Sequence, residues 1–235
     1  MEIPLLILKK RCYNDHGNMG SETLVSKEFY MQKFIMLCGL PACGKSTLAE
    51  KYREEGYVIA SIDSMRKEFF GDINRQSGEM SREEFDRHYP DYESFYNYYF
   101  VGKTPYIDGA FMSGLAQRII ADALISGKNA VYDATNLARR KDFFDAVDAL
   151  VAGKAEYQKY LVYSTLGIDA ILERNLDRIH RNYQKVRQYV ADGCTGDYPE
   201  FEVAVAAGDL VDMYERYKKN LPEDEEIEGV IKEKV

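Results

Sequence analysis

Gly39-Leu40-Pro41-Ala42-Cys43-Gly44-Lys45-Ser46-Thr47 satisfies the pattern G-x-x-x-x-G-K-[ST], and it follows Phe34-Ile35-Met36-Leu37-Cys38, an apolar run of the kind that forms a buried strand. Ser46-Thr47-Leu48-Ala49-Glu50-Lys51-Tyr52 then continues as an amphipathic helix, with neither Gly nor Pro before Gly56. A strand, a glycine-bounded loop and a helix in that order predict a cradle for a nucleoside triphosphate. The two glycines let the backbone curl so that successive N–H groups face phosphate oxygens at the positive end of the helix dipole. Lys45 is expected to reach the β- and γ-phosphates, and the Ser46 hydroxyl to bind Mg²⁺. Gly39, Pro41, Cys43, Gly44, Lys45, Ser46 and Thr47 are therefore the expected nucleotide-binding set, with Lys45 also serving catalysis. The alternative is a glycine-rich helix N-terminus with an exposed lysine.

Downstream, Tyr57-Val58-Ile59-Ala60-Ser61-Ile62 reads as a second strand that ends in Asp63-Ser64-Met65-Arg66. In an open α/β sheet, ligands sit beyond the carboxyl ends of the strands, so Asp63 is expected to face the crevice that holds the phosphate loop. A carboxylate there can accept a hydrogen bond from an acceptor hydroxyl and take its proton as the new bond to phosphorus forms. Arg66, one helical turn on, could hold a phosphate already on the acceptor. The competing reading makes Asp63 the N-cap of a helix beginning at Ser64.

The helix expected from about Phe111 to Ile125 carries Leu115, Ile119 and Ala123 on one face and stops at Gly127. It leads into Ala130-Val131-Tyr132 and then Asp133-Ala134-Thr135-Asn136. An aspartate ending an apolar strand beside a phosphate loop is the expected partner of Ser46 in the Mg²⁺ shell. Thr135 and Asn136 either cap the next helix or hydrogen-bond the acceptor, with capping preferred for Asn136. Arg139, Arg140 and Lys141 open that helix, which reaches about Ala152; three cations there oppose the dipole and predict an anion. Glu156 to Ser164 reads as the fourth strand.

From Ile168 a long helix carries Arg174, Arg178, Arg181 and Lys185 at i, i+4, i+7 and i+11, on one face. Like charges at that spacing repel, and Asp177 offsets mainly Arg181. A solvated stripe is one reading. The other is a lid, about 168–192, that closes arginines over the triphosphate and supplies the charge of an arginine finger. Leu210, Met213, Tyr214 and Tyr217 fit a helical core stripe, and Ile227-Glu228-Gly229-Val230-Ile231 is the expected final edge strand.

Taken together, Gly39–Thr47, Ser61-Ile62-Asp63-Ser64-Met65-Arg66, Asp133-Ala134-Thr135-Asn136 and Arg174-Asn175-Leu176-Asp177-Arg178 resemble the polynucleotide 5′-hydroxyl kinase group of P-loop kinases. The resemblance spans roughly 32 to 235 and rests on short motifs. Its D-x-x-R and R-N-x-x-R elements are the more diagnostic, because the phosphate loop and D-x-T-N also occur in small-molecule kinases and toxin kinases. It implies a P-loop NTPase fold, a doubly wound five-stranded parallel sheet of order 2-3-1-4-5 with a helical lid. It implies Asp63 as general base, Arg66 on the acceptor's phosphate and Arg178 on the transferring phosphoryl group. The expected activity is ATP·Mg²⁺-dependent transfer of the γ-phosphoryl group to a nucleic-acid 5′-OH. A kinase of a small phosphorylated metabolite or nucleotide sugar, and a nucleotide-binding regulatory module without an acceptor, are the rivals.

Composition fits this frame. A chain of 235 residues with 46% apolar residues can bury one sizeable core. A net charge of −8 argues against a broad nucleic-acid-coating surface but not against a local basic groove. Cys12, Cys38, Cys43 and Cys194 lack metal-ligand spacing and read as reduced cytoplasmic thiols. No apolar run approaches the length of a membrane span, and Ile3 to Leu8 is too short for a secretory signal. Residues 1–30 read as a loosely attached leader before a kinase domain at 31–235, the alternative being an edge strand from Ile3 to Leu8. Residues 72–108 interrupt the strand–helix rhythm with Tyr89, Tyr92, Phe95, Tyr96, Tyr98, Tyr99 and Phe100, either a satellite core or a platform for stacking bases.

Overall fold

The apolar run before the glycine loop becomes the middle strand of the sheet. A computed structural model describes residues 31–65, 109–193, 199, 202 and 204–235. The expected leader with its alternative edge strand, Arg66, the aromatic segment 72–108, Cys12 and Cys194 lie outside the described residues. The strands are β1 (Gln32–Cys38), β2 (Val58–Ser61), β3 (Ala130–Asp133), β4 (Tyr157–Tyr163) and β5 (Val230–Lys234). They form one all-parallel sheet in the order β2-β3-β1-β4-β5, as the sequence resemblance implies. Between them run α1 (Lys45–Glu54), α2 (Gly109–Ile125), α3 (Arg140–Val151), α4 (Ile168–Ala191) and α5 (Ala207–Lys218).

β1 is apolar without interruption from Phe34 to Cys38, where both of its faces are covered. Phe34, Met36 and Cys38 enter one core with residues of α2, α3 and α5, while Ile35 and Leu37 enter a second with Ala49 of α1, Val131 and Val162. Phe34 is fully buried, its ring centroid 5.1 Å from that of Phe144 and 6.2 Å from that of Phe143. Truncating such a side chain to Ala costs about 3–5 kcal/mol. Register then sets the site: Ser61 pairs with Asp133, and Asp133 with Leu37, so three strands end level beside the glycine loop.

Two stretches pack differently from expectation. On α2 the fully buried line is Met112, Ala116, Ile120 and Leu124, while Leu115 and Ile119 are only partly buried. The helix is apolar on both flanks, so spacing alone could not choose between neighbouring stripes. The last strand begins at Val230 rather than Ile227, because Gly229 turns with φ 69° and Ile227 is buried in the larger core.

α4 carries two fully buried asparagines, Asn175 and Asn182. Asn175 donates to Val205 O at 2.8 Å and accepts from Val205 N at 3.0 Å. Asn182 makes the same pair of bonds with Glu202, at 2.8 and 2.9 Å. Each buried amide thus replaces a backbone partner and satisfies main-chain groups beside the helix.

Candidate active site

The loop after β1 is a nest of left-handed conformations. Gly39 has φ 146°, Ala42 64° and Gly44 103°. A Cβ on Gly39 would lie 2.8 Å from Cys43 Sγ and 3.2 Å from Ser164 Cβ, so glycine is required there on steric grounds as well. Ala42 adopts a conformation unfavourable for any residue with a Cβ, a strain the sequence did not announce. Among the described residues no group of the chain accepts from the N–H groups of Gly44, Lys45, Ser46 or Thr47. Those donors, at the start of α1, suit phosphate oxygens. The Lys45 ammonium meanwhile donates to Leu40 O at 2.7 Å, folded back on the loop it is expected to leave when phosphate arrives.

Asp133 is the hub of the charged groups. It is buried at the end of β3, and the hydroxyls of Ser46 and Ser61 act on its carboxylate. Burial pushes its pKa above the ordinary carboxylate range, the Lys45 ammonium and the two hydroxyls pull it down, and the Asp63 carboxylate pushes it up. Lys45, Ser46 and Asp63 are therefore brought near Asp133. A buried carboxylate beside a serine hydroxyl at a phosphate cradle is a hard-oxygen pair that fits Mg²⁺, and a dication would relieve the cost of charging Asp133.

Asp63 is exposed and does not occupy the N-cap position. Residues 62–65 are already helical, and Ser64 N donates to Ser61 Oγ at 3.5 Å, which makes Ser61 the N-cap and places Asp63 inside the first turn. The competing reading of Asp63 is corrected on that geometry. Ser61 was missed in the sequence, although a serine at a strand end before a helical turn is a capping signal.

The loop 134–136 is stitched to the end of β1. Gly39 N donates to Thr135 O at 3.0 Å, Cys38 Sγ to Asn136 O at 3.1 Å, and Asn136 Nδ2 to Leu37 O at 2.6 Å. Asn136, with φ 48°, neither caps α3, whose N-cap position is Arg139, nor keeps its amide donors for an acceptor, since the second bond goes to Ala134 O. Burial raises the Cys38 thiol to about 11, which removes it from nucleophilic chemistry. Two of the three cations expected to await an anion at the start of α3 have protein partners: buried Arg140 bonds Glu225, and Lys141 pairs with Asp145, while Arg139 is exposed.

The stripe on α4 has its own anion too. Arg181 grips Glu202 with two bonds of 2.7 and 2.8 Å, and Arg178 and Lys185 each approach the same carboxylate at 3.9 Å. Arg181, first among these, holds the Glu202 pKa below its ordinary value. Asp177 was expected to offset this charge, but the principal partner of Arg181 is 21 residues away in sequence. Arg174 is exposed, and no described residue pairs with it. Neither Arg174 nor Arg178 is among the groups that act most strongly on Asp133.

Residues 34–193 match the family model described as an AAA domain. No curated protein matches the sequence. Among solved structures, the chain is similar to a gluconokinase from Sinorhizobium meliloti, at 16% identity and TM-score 0.34, covering 83% of this chain and 95% of the other. It is similar also to a structure of the PezAT chromosomal toxin-antitoxin system of Streptococcus pneumoniae, at 14% identity and TM-score 0.41, covering 88% and 70%. At such scores the two likenesses leave the chemistry to be argued from this chain's own residues.

Proposed function

The chain belongs to the AAA-domain family, and from that premise we propose that it is a kinase that moves the γ-phosphoryl group of ATP to a hydroxyl, with a nucleic-acid 5′-OH as the acceptor. The observation that carries the reading is the meeting of Lys45, Ser46, Asp133 and Asp63 at the level ends of β1, β2 and β3. The N–H groups of residues 44–47, with Gly39, Pro41, Cys43 and the Lys45 ammonium, bind the phosphates. Ser46 and Asp133 would hold Mg²⁺, which supplies positive charge to the β- and γ-phosphate oxygens.

Asp63, exposed at the mouth of this cradle, accepts the proton of the acceptor hydroxyl as that oxygen bonds the γ-phosphorus and the bond to the ADP oxygen breaks. Arg66 and Thr135 are the proposed acceptor contacts. Arg174 and Arg178 are the proposed cations over the triphosphate, Arg178 stabilising the transferring group. Because Asn136 spends its amide donors on the protein, it is left out of that set.

A second reading, transfer to a small phosphorylated alcohol, is favoured by Glu202. That carboxylate already takes Arg178, Arg181 and Lys185, which leaves less free positive charge along α4 for a polyanion. Acceptor-dependent ADP release decides between them. The expected result is turnover with 5′-hydroxyl DNA or RNA oligonucleotides and none with their 5′-phosphorylated forms. Turnover only with small phosphorylated alcohols moves the assignment to the second reading, and nucleotide binding without turnover on any acceptor overturns the kinase.

A further inference from the structure

Arg140 is the least expected residue of the molecule, a guanidinium 2% exposed, in contact with the strand that feeds the phosphate loop. Its donors reach three separate segments. Nε bonds Glu225 Oε2, and Nη2 bonds Asn220 O at 2.6 Å, both in the connection between α5 and β5. Nη1 bonds Asn136 O at 2.9 Å and lies 3.6 Å from Cys38 Sγ.

The Asn136 carbonyl is the point where these contacts become functional. Asn136 sits in the left-handed region and belongs to the loop that runs from Asp133 into α3. The same loop holds Gly39 through the Thr135 carbonyl and Leu37 through the Asn136 amide. One short stretch of chain therefore carries the Asp133 carboxylate at one end and fixes the first residue of the phosphate loop at the other. Arg140 pins that stretch where its backbone is least comfortable.

We propose that Arg140 is a positioning residue that sets the Asp133 carboxylate in register with the phosphate loop, and that Glu225 completes it from the α5–β5 connection. The proposal rests on the nucleotide-binding reading above. A guanidinium this deeply buried stays in place only with a counter-charge, and Glu225 is its one ionic partner among the described residues. The connection after α5, which carries none of the phosphate-binding residues, thereby governs how tightly Mg²⁺ and nucleotide are held together. This function was invisible in the spacing, because Glu225 is 85 residues from Arg140.

The test measures ADP affinity with and without Mg²⁺ for the full chain and for Arg140→Lys and Glu225→Gln, with circular dichroism as the check on folding. Lysine keeps the charge but cannot make three divergent bonds, and glutamine keeps an acceptor but removes the charge. Both variants are expected to weaken ADP·Mg²⁺ binding by about 10- to 100-fold, the span typical of lost outer-shell support. Metal-free ADP should be affected much less, so that the gain in affinity from Mg²⁺ shrinks. If both variants lose thermal stability yet keep the wild-type gain from Mg²⁺, Arg140 is only a structural bolt and the proposal is overturned. Should Arg140→Lys fail to fold, Glu225→Gln alone decides by the same ratio. A wild type that binds no ADP sinks the nucleotide reading itself, a result distinct from wild-type binding with unaffected variants.

Discussion

Glu225 and Glu202 each hold an arginine, and they do it in opposite ways. Glu225, itself partly exposed, meets one buried guanidinium, where Arg140 also has two main-chain carbonyls. Glu202 meets Arg178, Arg181 and Lys185 on a surface where Arg181 is about half exposed. Breaking a buried pair strands a charge away from water, whereas exposed pairs contribute about 0–1 kcal/mol and exchange partners readily. The floor of the phosphate cradle is therefore fixed, and the cationic face of α4 is free to trade Glu202 for another anion. The proposed kinase activity needs both properties: a rigid cradle, and cations that arrive late.

The sharpest break with that division would be a cradle that tolerates damage. Lys45→Ala is expected to drop turnover by about 10³-fold or more while the circular dichroism spectrum stays that of the wild type, because the ammonium bonds only loop atoms. Turnover within a few-fold of wild type would remove the cradle from the chemistry. Asp63→Asn comes next. It should cut acceptor phosphorylation by about 10²- to 10⁴-fold with ADP affinity near normal, the span of a lost general base. Since Ser61 holds the cap, any loss of rate cannot be blamed on the helix terminus. Equal rates would assign Asp63 to dipole complementarity alone.

On the exchangeable side the effects shrink. Arg178→Lys should lower kcat about 10-fold, less than the 10²- to 10³-fold of a donor removed outright, and leave nucleotide affinity within two-fold. Matching losses in both would make Arg178 a ground-state binder. Smallest is Glu202→Gln, expected to change stability by no more than about 1 kcal/mol at pH 7. Its sign with pH is fixed. The folded-state pKa of Glu202 is lowered, so its contribution is present above the ordinary glutamate value and disappears as pH falls through the lowered one. Wild type and variant should therefore converge in acid thermal melts, and a gap that widens in acid would mean the carboxylate is not what holds the stripe.

The readable part of the molecule was the part written locally. A phosphate loop is nine consecutive residues, and a strand ending in Asp133 announces itself by an apolar run and a carboxylate, whereas the strand before Asp63 ends at Ser61. The sheet order came from the resemblance, and the register of Ser61, Asp133 and Leu37 agrees with it. What escaped was partnership across distance. The cations of α3 and α4 were taken to predict a ligand because helical spacing reveals only neighbours three or four residues away. Glu225 and Glu202 lie 85 and 21 residues from Arg140 and Arg181, where no spacing rule reaches. Asn136 was misread for a related reason: its left-handed backbone turns the side chain toward Leu37 instead of the helix start.

The paired asparagines of α4 imply a rule for how this chain can vary. Asn175 and Asn182 are two helical turns apart, about 10.5 Å along the axis, and the three residue steps from Glu202 to Val205 cover about 10 Å when extended. Both amides read main-chain groups, so they recognise distance and are blind to side-chain identity. Residues between those anchor points can be exchanged freely as far as the asparagines are concerned, but a single insertion or deletion there would put one buried amide out of step. Such a segment tolerates substitution and forbids indels, the reverse of the habit of surface loops.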